Sequence, residues 1–78
     1  MRSLPGLLIM KLEELDIKIR SNPQGVYLVE ILPGYFIKYD GLRDQLMWTS
    51  ISPKGRICDC SSRETAITLL QEAHDNEA

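Results

Sequence analysis

NPQGVYLVEILPGYFIKYDG, residues 22–41, decides the fold. Pro33-Gly34 stands between two apolar runs and fits the centre of a type II turn, where Pro presets φ and Gly supplies φ > 0. Asn22-Pro23-Gln24-Gly25 before them has Asn, Pro and Gly where a type I turn wants them, and Asp40-Gly41 closes the second run. The runs between these turns are rich in β-branched and aromatic residues. They predict an antiparallel hairpin of strands over 26–32 and 35–40. Alternation places Tyr27, Val29 and Ile31 opposite Val26, Leu28, Glu30 and Leu32, and Tyr35, Ile37 and Tyr39 opposite Phe36, Lys38 and Asp40.

The same reading extends both ways along the chain. Ser52-Pro53-Lys54-Gly55 repeats the type I chemistry and separates strands expected over 45–52 and 56–60. Met47, Thr49 and Ile51 then share one side, with Leu46, Trp48 and Ser50 on the other. Upstream, Asp16-Ile17-Lys18-Ile19-Arg20 alternates polar and apolar and reads as a first strand over 16–20. Downstream, Ser61 and Glu64 have capping-box spacing, and Ala66, Ile67, Leu70 and Ala73 recur at helical period with Leu69 flanking. Acidic residues past the last turn oppose the helix dipole, so the end is expected to fray.

The expected fold is α+β, an antiparallel meander of four to five strands with one C-terminal helix packed on one face. Residues 16–60 form the sheet, 61–75 the helix and 76–78 a tail, while 1–15 form an N-terminal segment that could pack on the sheet. Seventy-eight residues make one small domain with a thin core. Its 44% apolar and 26% charged composition is that of a globular chain, not a disordered or disulfide-stapled one. The apolar run Leu4 to Met10 is short, is broken by Pro5-Gly6 and has no cleavage pattern after it, so a cytoplasmic protein without a membrane partner is expected.

Charge narrows the function classes. The formal net charge is −2, with a surplus of two positive charges in residues 35–63 and four uncompensated acids from Glu64 onward. That is a weak stripe for a duplex-binding protein, whose affinity comes mainly from neutralised phosphates.

Catalytic chemistry has little to stand on. The single histidine, His74, sits near the helix end, away from any orienting group, and the carboxylates fall mostly on turns and outer faces. Cys58 and Cys60 share a strand face, yet a zinc site needs about four ligands, so free thiols in a reducing compartment are expected. The glycines are isolated turn residues and build no phosphate loop. The chain reads as non-enzymatic, with no catalytic residue, metal, cofactor or small-molecule substrate.

What remains is a surplus of apolar residues on the side away from the helix: Val26, Leu28, Leu32, Phe36, Leu46 and Trp48. Unless residues 7–15 fold back over them, they meet a second molecule. The candidate binding residues are Leu28, Phe36, Lys38, Trp48, Arg43, Lys54 and Arg56. They suit a protein interface, a homodimer mate included, of a small regulator, inhibitor or adaptor of a larger complex, a role common among short phage and mobile-element chains. They also suit nucleic acid, with aromatics stacking bases and cations holding phosphates.

One resemblance bears on the second reading. GYFIKYDG (34–41), LMWTSIS (46–52), RICDC (56–60) and SSRETAITLLQEA (61–73) follow each other as three strands and a helix. This order resembles the small arm-binding DNA-binding domains of tyrosine recombinases, whose three-stranded sheet enters the major groove. The likeness is one of pattern over just over half the chain, and it implies Lys38, Trp48 and Arg56 near DNA. This sheet is less basic, and two further strands are expected before it.

Overall fold

The computed structural model describes residues 9–77. Elements follow in the order β1 (Ile9–Met10), α1 (Leu12–Ser21), β2 (Val26–Leu32), β3 (Tyr35–Asp40), β4 (Trp48–Ser52), β5 (Gly55–Cys60) and α2 (Arg63–Glu77). The architecture is α+β. Strands β2 to β5 form an antiparallel meander in sequence order, and the two-residue β1 adds to its edge, parallel to β2.

The hairpin over residues 26–40 forms as its turns dictate. Gly34 takes φ +85° at the Pro33-Gly34 corner, and Gly25 N donates to Asn22 O at 3.1 Å in the preceding turn. Val29 pairs with Ile37 and Tyr27 with Tyr39. Along β3 burial alternates without a break, with Tyr35, Ile37 and Tyr39 buried.

The segment expected as a first strand is helical. Residues 16–20 lie inside α1, because the apolar residues that find partners are Leu15 and Ile19, one helical turn apart, rather than the alternating pair Ile17 and Ile19. Leu15 is fully buried while Ile17 is 63% exposed. Glu13 and Glu14 in the first turn and Lys18 and Arg20 in the last suit the helix dipole. The Glu14 carboxylate accepts from Lys11 N at 3.0 Å, and Pro23 ends the helix because a residue preceding proline avoids the α region. Leu12 to Leu15 of the expected N-terminal segment are the first part of α1, and residues 1–8 of that segment lie outside the described residues.

Helix α2 starts two residues later and ends two later than expected. Ser62, not Ser61, is its cap: Ser62 Oγ accepts from Thr65 N at 3.2 Å. The helix continues to Glu77 instead of fraying after 75, with the Tyr35 hydroxyl donating to the Glu77 carboxylate and His74 set edge-on to the Tyr35 ring. That hydrogen bond and the Glu77 charge push the Tyr35 phenol pKa up.

Both helices cover the same side of the sheet. Leu15 from α1 and Ala66 and Leu70 from α2 form one core with Val29, Tyr35, Ile37 and Cys60. Between the helices runs an open groove of about 440 Å³, lined by Leu12, Glu13, Asp16, Arg63, Glu64 and Ile67. Arg63 crosses it to Asp16 at 2.6 Å and approaches Glu64 at 3.9 Å, so its charge is spent within the fold. Among the described residues no helix is long and apolar enough to cross a membrane.

Candidate protein-binding face

Strand register sorts the candidate residues by face. Tyr27, Tyr39, Trp48 and Cys60 lie in one row across the sheet, and Val29, Ile37, Ser50 and Cys58 in the next; both rows face the helices. Trp48 therefore does not join Phe36. It packs on the core, its ring 5.0 Å from that of Tyr39. The shared aromatic face expected of Phe36 and Trp48 does not form.

The cause of the misassignment is a serine. Met47, Thr49 and Ile51 look like the better inward set, but the residue under α2 is Ser50, fully buried, its hydroxyl donating to Ala66 O at 2.8 Å. Small side chains at Ser50 and Ala66 let helix and strand approach, and the hydroxyl satisfies itself on the helix backbone. A close-packed polar residue thus occupies a core position that hydropathy assigns outward. Leu32 changes sides as well: a bulge between Glu30 and Leu32 turns it toward the core.

The outer side is built from two other rows. Glu30, Phe36, Ile51 and Arg56 form the first, and Leu28, Lys38, Thr49 and Asp59 the second, with Val26 beyond them. Leu28, Phe36 and Ile51 are each half-buried. Among the described residues no helix packs on this side. A register shift between Ser50 and Ile51 brings Arg56 into line with Asp59, placing both on this face.

Asp59 organises the β5 end of the face. Its carboxylate accepts from Thr49 Oγ1 at 2.8 Å and from Arg43 Nη2 at 3.3 Å, and it lies 3.6 Å from Arg56. The Thr49 and Arg43 hydrogen bonds hold its pKa below the ordinary carboxylate value. Arg43 reaches this point from the loop between β3 and β4, and its other nitrogen donates to Leu46 O at 3.4 Å. The loop is thereby tied to the outer face and carries Leu42 and Leu46, 71% and 46% exposed. Leu46 stands at φ 51°, a left-handed conformation costly for a leucine.

Of the seven candidate residues, Leu28, Phe36, Lys38 and Arg56 share the outer face, and Arg43 reaches over it. Lys54 sits exposed in the β4–β5 turn, and Trp48 belongs to the core. Sequence reasoning missed Asp59, Thr49 and Ile51 as members of the face. The Thr49–Asp59 pairing was within reach once β4 and β5 were drawn as a hairpin, but the bulge that aligns Arg56 leaves no composition signal.

The two thiols point to the helix side of β5 and differ in setting. Cys60 is buried and Cys58 exposed, and burial pushes the Cys60 pKa up. Neither takes part in the outer face.

No protein-family model, curated protein or solved structure matches the chain.

Proposed function

We propose that the chain is a small non-enzymatic protein-binding module, a regulator, inhibitor or adaptor that docks through the outer side of its sheet. One observation carries this reading. Both helices lie on one side of the sheet, and Leu28, Phe36 and Ile51 stand at the centre of the other, on which no helix packs among the described residues. An apolar centre with a charged rim is the anatomy of a protein interface.

The charge pattern supports a protein partner over a nucleic acid. Arg43 and Arg56 both lean on Asp59, so two of the cations meant for phosphate are already partly neutralised. Trp48 lies on the helix side, which leaves Phe36 as the aromatic of the outer face. The setting proposed is the cytoplasm, where Cys58 and Cys60 persist as free thiols. A single small domain of this kind fits the phage or mobile-element type of regulator.

Two measurements test the reading together. Wild type and Phe36→Glu serve as bait for affinity capture from cell extract, and both are titrated with mixed labelled DNA and RNA across a salt series. The expected result is a captured protein lost with Phe36→Glu and no nucleic-acid binding at low salt. Binding whose logarithm falls by about 0.9 per phosphate contact against log salt, and that weakens when Lys38 and Arg56 are reversed, would replace this reading with the nucleic-acid one.

A further inference from the structure

The outer face is complementary to itself along its first row, which reads Glu30, Phe36, Ile51, Arg56 from β2 to β5: acid, aromatic, aliphatic, base. A two-fold axis running along the strands between β3 and β4 carries β2 over β5 of a second copy and β3 over β4. Glu30 then lies over Arg56 of that copy, and Phe36 over Ile51, each contact made twice. In the second row, which is not self-complementary, the same rotation sets Leu28 over Asp59 of the other copy and Lys38 over its buried Thr49, beside that Asp59. Lys38 has no carboxylate within salt-bridge distance among the described residues of its own chain.

We propose that the partner seated on this face is a second copy of the chain, two sheets packing face to face into a four-layer helix–sheet–sheet–helix dimer. The inference rests on the protein-binding reading and names its partner. Face-to-face sheets with aligned strands pack about 10 Å apart, close enough for side chains of the two inner faces to interdigitate. The dimer would cover Leu28, Phe36 and Ile51. Arg56, 68% exposed in its side chain, can keep Asp59 while gaining Glu30 of the second copy. Glu30 accepts from Gly34 N at 3.0 Å through one carboxylate oxygen, and the other has no hydrogen bond among the described residues.

The test is a charge swap on the full chain, read by sedimentation velocity and native mass spectrometry over the micromolar range. Wild type is expected to dimerise. Glu30→Arg places two guanidinium groups together at each end, and Arg56→Glu two carboxylates, so each variant alone is expected to lose about tenfold or more in dimer affinity. Mixed together, the two variants restore both contacts and form a one-to-one heterodimer. A monomeric wild type overturns the dimer, and so does a mixture that stays as dissociated as its components. The fate of the protein-binding reading is read separately, from ANS fluorescence. A monomer that binds ANS, with binding lost in Phe36→Glu, keeps that reading and discards the second copy as occupant. A monomer that binds no ANS discards both.

Discussion

Tyr27 and Tyr39 stack across β2 and β3 with ring centroids 6.3 Å apart and planes 12° from parallel. Their hydroxyls pin the turn that follows α1. Tyr27 donates to Asn22 O at 2.9 Å and reaches Lys18 O at 3.2 Å; Tyr39 donates to Pro23 O at 2.9 Å. The Asn22 and Pro23 carbonyls just past the helix are thus met by two phenols anchored in the sheet, while Lys18 O also accepts from Asn22 N at 2.9 Å.

Removing either hydroxyl should loosen the seat of α1 without opening the core. Tyr27→Phe and Tyr39→Phe are each expected to cost about 0.5–1.5 kcal/mol in urea unfolding at an unchanged m value. Amide exchange should rise first around Asn22 to Gly25, where Gly25 N and Gly41 N meet their acceptors.

Gly41 has a stricter requirement. A Cβ there would overlap the Pro23 carbonyl oxygen and crowd Gln24, and these obstacles are backbone. Gly41→Ala should destabilise by about 1–3 kcal/mol, the range for overpacking, whereas Gly→Ala at a compatible site stabilises. Thermal unfolding decides between the two signs.

Leu46 offers the opposite case. Its left-handed backbone costs about 1–2 kcal/mol for an L-residue, and its side chain is 46% exposed. Leu46→Gly relieves that strain but frees the unfolded chain, so the net expected is a gain of several tenths of a kcal/mol and a slightly higher Tm. A loss of stability would mean that the leucine side chain packs more tightly in solution than its exposure implies.

Trp48→Ala separates core from interface. Because Trp48 packs on Tyr39 and the core, the substitution should cost about 2–4 kcal/mol of folding stability, somewhat less than for a fully buried tryptophan. Phe36→Glu, on the outer side, should leave stability closer to wild type while removing partner binding. The reverse pattern, Trp48→Ala stable and Phe36→Glu unfolded, would exchange the two faces.

Asp59 predicts a pH effect with a definite sign. Its folded pKa lies below the ordinary value near 3.8, so it contributes stability that is fully present above that value. The contribution is lost as pH falls from there through the folded pKa. Asp59→Asn should therefore flatten the acid limb of the stability curve below about pH 4 and lower stability at neutral pH toward its acid value. Denaturant midpoints measured from neutral pH downward give the comparison.

Local chemistry wrote most of the meander into the sequence. Asn22-Pro23-Gln24-Gly25, Pro33-Gly34 and Ser52-Pro53-Lys54-Gly55 impose chain reversals whatever surrounds them, and the alternation of Tyr35, Ile37 and Tyr39 aligns a strand with the core. Helix α2 was legible for the same reason, since Ala66, Leu70 and Ala73 keep helical spacing through an otherwise polar segment. Leu28, Phe36 and Lys38 could be placed on one outer face from strand parity alone, whereas Arg56 joins them only through the bulge in the β4–β5 pairing.

Tertiary contacts decided the rest. Asp16 to Arg20 alternates like a strand, and only burial of Leu15 against the sheet makes the helical period the stronger one. Trp48 and Ser50 took the inner side because a small hydroxyl can meet the α2 backbone at Ala66, a gain invisible to hydropathy. Arg43 and Asp59 are sixteen residues apart, brought together by the β4–β5 pairing and the loop that precedes it. Turn geometry acts over four residues and can be read along the chain. The side that a strand buries depends on what packs across it, and that partner is supplied only by the folded chain.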